Sequence, residues 1–182
     1  MLIESLLLHQ YSRLRIHFSG FHYSRLKISI ARFPVLVKCS LLKNLPSLLR
    51  CLLVEDEGKL ILIDNGMGDK QDAKFFGHYY LHGDDTLDKS LAQHGFTKDD
   101  ITDVFLTHLH FDHCGGSIVR EGEKLIPAFK NATYWSNERH WQWATEPNAR
   151  EKASFLKENI LPIQESGKLA FSLAFGSVAH FQ

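Results

Sequence analysis

The stretch Thr107–Gly116, THLHFDHCGG, constrains this chain more than any other. It places His108, His110, Asp112 and His113 within six positions. Directly before and into it, TDVFLT (102–107) is a short apolar run that reads as a β-strand. A loop leaving such a strand has its root held by a rigid sheet, while its side chains are free to converge. His108 and His110 are spaced i, i+2, so extended backbone points both to one side and both can reach one cation. Asp112 and His113 come just before Gly115 and Gly116, where the backbone can turn and aim them at a second point nearby. Neutral imidazoles with a carboxylate suit zinc, and also manganese, iron or cobalt. With 11 His and 11 Asp in 182 residues, chance supplies this pattern about 0.002 times per chain, so composition does not account for it.

Such a loop needs a sheet to stand on, and the chain supplies one from Arg50 onward. RCLLVE (50–55) and KLILID (59–64) are short β runs joined by DEG, a turn signal, and read as a hairpin. NGMGD (65–69) is a Gly-rich loop after the second run. DDTLDKSLAQHG (84–95) reads as a helix, with Asp85 or Thr86 as its cap and Gly95 as its stop. ATYWS (132–136) is a further strand, and Ser136 can cap a helix over NERHWQWA. Asn148 with Glu151 resembles a capping box for a helix over AREKASFLKENI (149–160). Strands alternating with helices predict an α/β layered fold.

Residues 1–49 have a different texture. They are aliphatic, basic and Ser-rich, with SRLRIHF and SRLKISI alternating as strands do. Residues 1–50 carry eight Lys/Arg and one acid, Glu4, whereas all eleven Asp lie between Asp56 and Asp112. Three readings fit this segment: half-buried strands with basic outer positions, a targeting segment of the Arg- and Ser-rich kind, or a stretch foreign to the domain that follows. The chain divides on this basis into an atypical basic segment, 1–49, and a domain over 50–182. Formal net charge is zero, and the core is acidic, so no nucleic-acid partner is expected. No apolar run approaches the roughly 18 residues of a membrane span. Three cysteines, Cys39, Cys51 and Cys114, imply no disulfide framework and fit a reducing, cytoplasmic setting.

FLTHLHFDHCGG (105–116) resembles the H-x-H-x-D-H signature of the metallo-β-lactamase-fold hydrolases. KLILIDNGMGD (59–69) resembles the strand and loop that precede it there. PNAREKASFLKENILPIQESGKL (147–169) resembles the segment that follows it in lactonase-like members, including quorum-quenching acyl-homoserine-lactone hydrolases. The likeness covers about residues 50–171. It implies an αββα sandwich with a two-metal site, normally two zinc ions, at one edge of the paired sheets. His108 and His110 would bind the first metal, and Asp112 and His113 the second. A hydroxide between the metals would attack a carbonyl carbon of a lactone or ester-like small molecule, and Asp112 could pass a proton to the leaving group. Asp64 would be an orienting carboxylate behind the metal loop; a turn carboxylate capping local amides is the equal alternative.

The chain departs from that family in ways that bear on activity. The family uses a third His on the first metal, then a bridging Asp and a final His on the second. Here no Asp follows Asp112, and only His140 and His180 follow His113. His140 lies in an expected helix among aromatics and is expected to be packed or exposed rather than a ligand. The chain is therefore expected to be an incomplete αββα core, the N-terminal half to two-thirds of one, with foreign or frame-shifted ends. Two functions follow from the same residues: a metal-dependent hydrolase, or a truncated, non-catalytic metal-binding fragment of one. Cys114 is expected to be a small buried residue rather than a thiolate ligand. Tyr134, Trp135, Trp141 and Trp143 are expected to serve packing rather than a pocket wall. His78 and His82, at i, i+4, are not expected to form a second metal site.

Overall fold

A computed structural model describes residues 27–29, 35–38, 46–49, 51–56, 58–79 and 85–172. Its strands are β1 (Lys27–Ser29), β2 (Val35–Lys38), β3 (Pro46–Leu49), β4 (Leu52–Asp56), β5 (Lys59–Ile63), β6 (Asp103–Phe105), β7 (Ile118–Glu121), β8 (Lys124–Pro127), β9 (Thr133–Ser136) and β10 (Leu169–Phe171). Its helices are α1 (Ala73–Gly77), α2 (Leu87–Gln93), α3 (Phe111–Cys114), α4 (Glu138–Thr145) and α5 (Lys157–Glu165). Six strands form one mixed sheet in the order β1-β4-β5-β6-β9-β10, and β2-β3 and β7-β8 form two small antiparallel pairs. The fold is α/β, as the alternation of strand and helix patterns predicts.

The centre of the sheet is apolar on both faces because β5 and β6 are apolar at nearly every position. Leu62 pairs with Val104, and Val104 with Tyr134, making one fully buried row. Helices, β7 and a loop cover that row with Leu91, Ile118, Phe129, Trp141, Ile160 and Ile163. The next row, Ile63, Phe105 and Trp135, points to the opposite face, where Leu52, Val54 and Ile61 join it. Each aliphatic side chain fully buried this way contributes about 1.5–3 kcal/mol. A one-residue slip of β6 would reverse its two faces, so the register is strongly specified.

β4 and β5 form the expected hairpin, with Gly58 at φ 84° in its turn. α2 has the expected ends: the Thr86 side chain accepts from the Lys89 amide, and Gly95 follows at φ 80°. Two expected helix starts need correction. Asn137, not Ser136, caps α4, its Oδ1 accepting from the His140 amide at 3.1 Å. Ser136 is held in the sheet opposite Phe171 and is buried, so it remains strand. Asn148 does close a turn, accepting from the Arg150 and Glu151 amides and donating to Glu151 Oε2. No helix follows at 149; α5 begins only at Lys157. Phe155 is buried at 3% exposure and Leu156 is extended, so docking the aromatic ring wins over continuing the helix.

Of the basic N-terminal segment, Lys27–Ser29 pairs antiparallel with β4. SRLRIHF lies outside the described residues. Among the described residues no helix is long and apolar enough to cross a membrane.

Candidate metal centre

The site is assembled from the segments that leave the carboxyl ends of the adjacent parallel strands β5 and β6, with α4 following the third, β9. In open α/β sheets this edge is where ligand-binding groups collect.

β5 delivers Asp64. Its φ is 57°, the one positive value at a non-glycine residue among the described residues. Aspartate tolerates this left-handed conformation better than most residues. The turn aims a buried carboxylate at the next loop. Asp64 accepts from the Thr107 amide at 2.9 Å, from the Thr107 hydroxyl at 2.8 Å and from His113 Nδ1 at 2.9 Å. A carboxylate offers only lone pairs, so His113 carries its proton on Nδ1 and leaves Nε2 bare. The single Thr107 hydroxyl hydrogen goes to Asp64. His108 Nδ1, 3.2 Å from that hydroxyl oxygen, therefore donates to it and leaves its own Nε2 bare. One carboxylate thus sets the tautomer of two imidazoles, one directly and one through a hydroxyl. Of the two roles weighed for Asp64, its contacts are those of an orienting carboxylate: the amide it accepts belongs to Thr107 on the next strand's loop, 43 positions on, and it orients the His113 ring.

β6 delivers the histidine cluster. His110 is the N-cap of α3, whose single turn brings Asp112 and His113 back beside His108. The donor atoms of His108, Asp112 and His113 lie within 4.8 Å of one another. His113 Nε2 is 3.6 Å from Asp112 Oδ2. His110 stands outside this trio, its ring edge-on to His108 with centroids 4.7 Å apart and edge-on to Phe155 at 4.7 Å. Burial, then the neighbouring histidines, push His108 down to about 3, so it is a neutral imidazole at ordinary pH. Burial also lowers His110, against the opposing pull of Asp112. Burial alone would lower His113, but the hydrogen bond and charge of Asp64 outweigh it and raise His113 above its ordinary value. Two imidazoles and a carboxylate, clustered this closely, are a donor set that fits a divalent transition cation.

The NGMGD loop backs the cluster at van der Waals distance. The Asn65 amide donates to the His113 carbonyl at 2.9 Å, and the Gly116 amide to the Gly66 carbonyl at 3.0 Å. A Cβ at Gly115 would sit 2.1 Å from the Met67 carbonyl oxygen, and one at Gly116 would sit 2.3 Å from that of Asn65. The two glycines are therefore required for close approach, beyond any need to turn. The Lys70 ammonium donates to the Gly115 carbonyl, and burial lowers it to about 8.

The remaining sequence candidates fall as follows. Cys114 is fully buried, its thiol donates to the Leu109 carbonyl at 3.3 Å, and burial pushes it well up, so it is a small buried residue. Tyr134 and Trp141 lie in the core. Trp135 Nε1 donates to Asp103 at 2.8 Å. Trp143 is 41% exposed and packs edge-on to His140. His78 is the exposed C-cap of α1; His82 and His180 lie outside the described residues. His140, on the first turn of α4 just after β9, is not free for a ligand through Nε2, which accepts the Leu109 amide at 2.9 Å. Neither this contact nor that of Lys70 has a sequence signal, because each joins residues more than thirty positions apart with no shared spacing.

Residues 50–167 match the family described as the metallo-beta-lactamase superfamily. Over 131 residues the chain is 28% identical to the N-acyl homoserine lactonase AiiA of Bacillus thuringiensis subsp. kurstaki, covering 66% of this chain and 46% of that protein. The chain thus spans about half the length of the curated relative it matches. Among solved structures, a probable metal-dependent hydrolase from Staphylococcus aureus is similar with a TM-score of 0.67 at 22% identity, covering 81% of this chain and 58% of that one. The dizinc quorum-quenching lactonase AidC is similar with a TM-score of 0.55 at 24% identity, covering 85% of this chain and 60% of that one. At these identities the two structures speak to the fold.

Proposed function

The chain belongs to the metallo-beta-lactamase superfamily, and from that premise we propose that it is a metal-dependent hydrolase of lactone or ester-like small molecules. The observation that carries the reading is the convergence of His108, Asp112 and His113 donor atoms within 4.8 Å. In this reading His108 and His110 hold one cation and Asp112 and His113 a second, with zinc the first candidate. Cations bound there supply Lewis acidity to a substrate carbonyl and lower the pKa of water.

The chain's own residues supply the order that this chemistry needs. Asp64 fixes two ring tautomers and leaves the Nε2 lone pairs of His108 and His113 free. Asp112, only partly exposed on the first turn of α3, would move a proton to the leaving oxygen. Phe155 packs edge-on against the His110 ring. Similarity to an N-acyl homoserine lactonase supports a small carbonyl substrate. Free, buried Cys51 and Cys114 support a reducing, cytoplasmic compartment.

The test is zinc-reconstituted protein assayed on an acyl-homoserine lactone, a simple γ-lactone and an aryl ester. Hydrolysis of at least one, abolished by His110→Ala, is the expected result. No turnover at full metal occupancy would reject the proposal.

One observation favours a second reading, a metal-holding chain without turnover. His140 Nε2 is occupied by the Leu109 amide, so that nitrogen is not free to complete the cluster. Among the described residues the clustered donors are then three, His108, Asp112 and His113. That reading predicts fewer than two metals per chain and no hydrolysis.

A further inference from the structure

His108 and His110 flank Leu109, and the way Leu109 is held decides where both rings can go. Its side chain is fully buried. Its carbonyl accepts the Cys114 thiol at 3.3 Å. Its amide has no ladder partner, because β6 has ended at Phe105. That amide instead donates to His140 Nε2 at 2.9 Å. The amide belongs to the peptide plane joining His108 to Leu109. Anchoring it fixes the rotation of that plane, and with it the direction of the His108 side chain.

His140 is itself well anchored. Its backbone amide donates to the Asn137 side chain at 3.1 Å, so it sits in the capped first turn of α4. Its ring lies between Trp143, with centroids 5.9 Å apart, and Phe155, at 5.8 Å. Phe155 also packs on His110 at 4.7 Å. A single half-buried imidazole thus ties α4 to the loop between the two ligand candidates and shares a packing partner with one of them.

We propose that His140 is a positioning residue for the metal loop: as a neutral, Nδ1-protonated ring it accepts the Leu109 amide and holds His108 and His110 in the orientation that lets them take up a cation. This rests on the hydrolase reading only for the identity of the ligands, since the hydrogen bond exists without metal. Groups that orient ligands from behind are worth roughly 10–100-fold in metal affinity.

The test uses the full chain, His140→Phe and His140→Gln. Phenylalanine keeps a packed ring without an acceptor; glutamine keeps an acceptor. Two readouts are needed: hydrogen exchange of the Leu109 amide in metal-free protein, and zinc affinity by chelator competition. In His140→Phe, Leu109 exchange rises and zinc affinity falls, each by about tenfold or more, while the core amides of Val104 and Tyr134 are unchanged. His140→Gln recovers most of both. Leu109 exchange and zinc affinity within about twofold of the unaltered chain in His140→Phe would overturn the proposal. If His140→Phe fails to fold, imidazole nitrogen shifts of the unaltered chain decide: a bare Nε2 on His140 supports the role, and a protonated Nε2 overturns it. An unaltered chain that takes up no zinc but keeps Leu109 protected through His140 would sink the hydrolase reading and leave the anchoring intact.

Discussion

Replacing Asp64 by Asn changes one atom and reverses one hydrogen bond. The asparagine oxygen can still accept from the Thr107 amide and hydroxyl, as Asp64 Oδ1 does at 2.9 and 3.0 Å. The new NH2 group then occupies the place of Oδ2, 2.9 Å from His113 Nδ1. Two donors cannot share that contact. His113 must either lose the bond or move its proton to Nε2, and the second course removes the lone pair that faces the cluster. A hydrogen bond to a charged group is worth about 1.5–3 kcal/mol. A loss of 10–100-fold in metal affinity, the usual cost of disturbing an orienting partner, corresponds to about 1.4–2.8 kcal/mol. The two figures agree at about 2 kcal/mol. Global stability should fall less, because Asn accepts the φ of 57° at this position nearly as well as Asp. The assay is zinc affinity by chelator competition at pH 7.5, with imidazole nitrogen shifts to report which ring atom of His113 carries the proton. Zinc affinity within about twofold of the unaltered chain, with the His113 proton still on Nδ1, would refute the reasoning.

Three further outcomes are expected. Asp64 raises His113 above its ordinary value against the effect of burial, so in metal-free protein the His113 proton stabilises the fold below about pH 6.5, and this contribution is lost as pH rises through the raised value; zinc must displace the same proton, so affinity weakens as pH falls through that value, and the onset moves to lower pH in Asp64→Asn. Gly116→Ala puts a methyl group against the Asn65 carbonyl at 2.3 Å, so urea denaturation should show a loss of about 1–3 kcal/mol or more, without recovery on adding zinc. Cys51 and Cys114 are buried with their thiols pushed up, so alkylation under native conditions should spare both, and labelling of either at the rate seen in urea would contradict their placement.

Local sequence carried the elements, and it carried the ligand candidates because H-x-H-x-D-H is itself local. The alternating and apolar runs place β4, β5, β6 and β9, and Thr86 and Gly95 bound α2, because each signal lies within the element it describes. The helix expected from Asn148 is where that approach fails: the turn forms, but burial of Phe155 against His110 and the rings of α4 overrides the capping pattern. The choice between two roles for Asp64 was also beyond the sequence. The residue lies 43 positions from Thr107 and 49 from His113, and only the pairing of β5 with β6 brings them together. His140 was legible as a helix residue among aromatics, but its contact with Leu109 depends on β9 lying beside β6. Gly115 and Gly116 were legible as a turn; that they are pressed against the backbone of residues 65–67 was not.

Zinc stoichiometry of the purified, reconstituted chain tests the central claim most directly, because it reads the donor set of His108, Asp112 and His113 without requiring the right substrate. At least one zinc per chain is expected after dialysis, lost when His108 and Asp112 are both replaced by alanine. A folded chain that retains no zinc, or that retains as much without His108 and Asp112, would contradict the assignment of this loop as a metal centre.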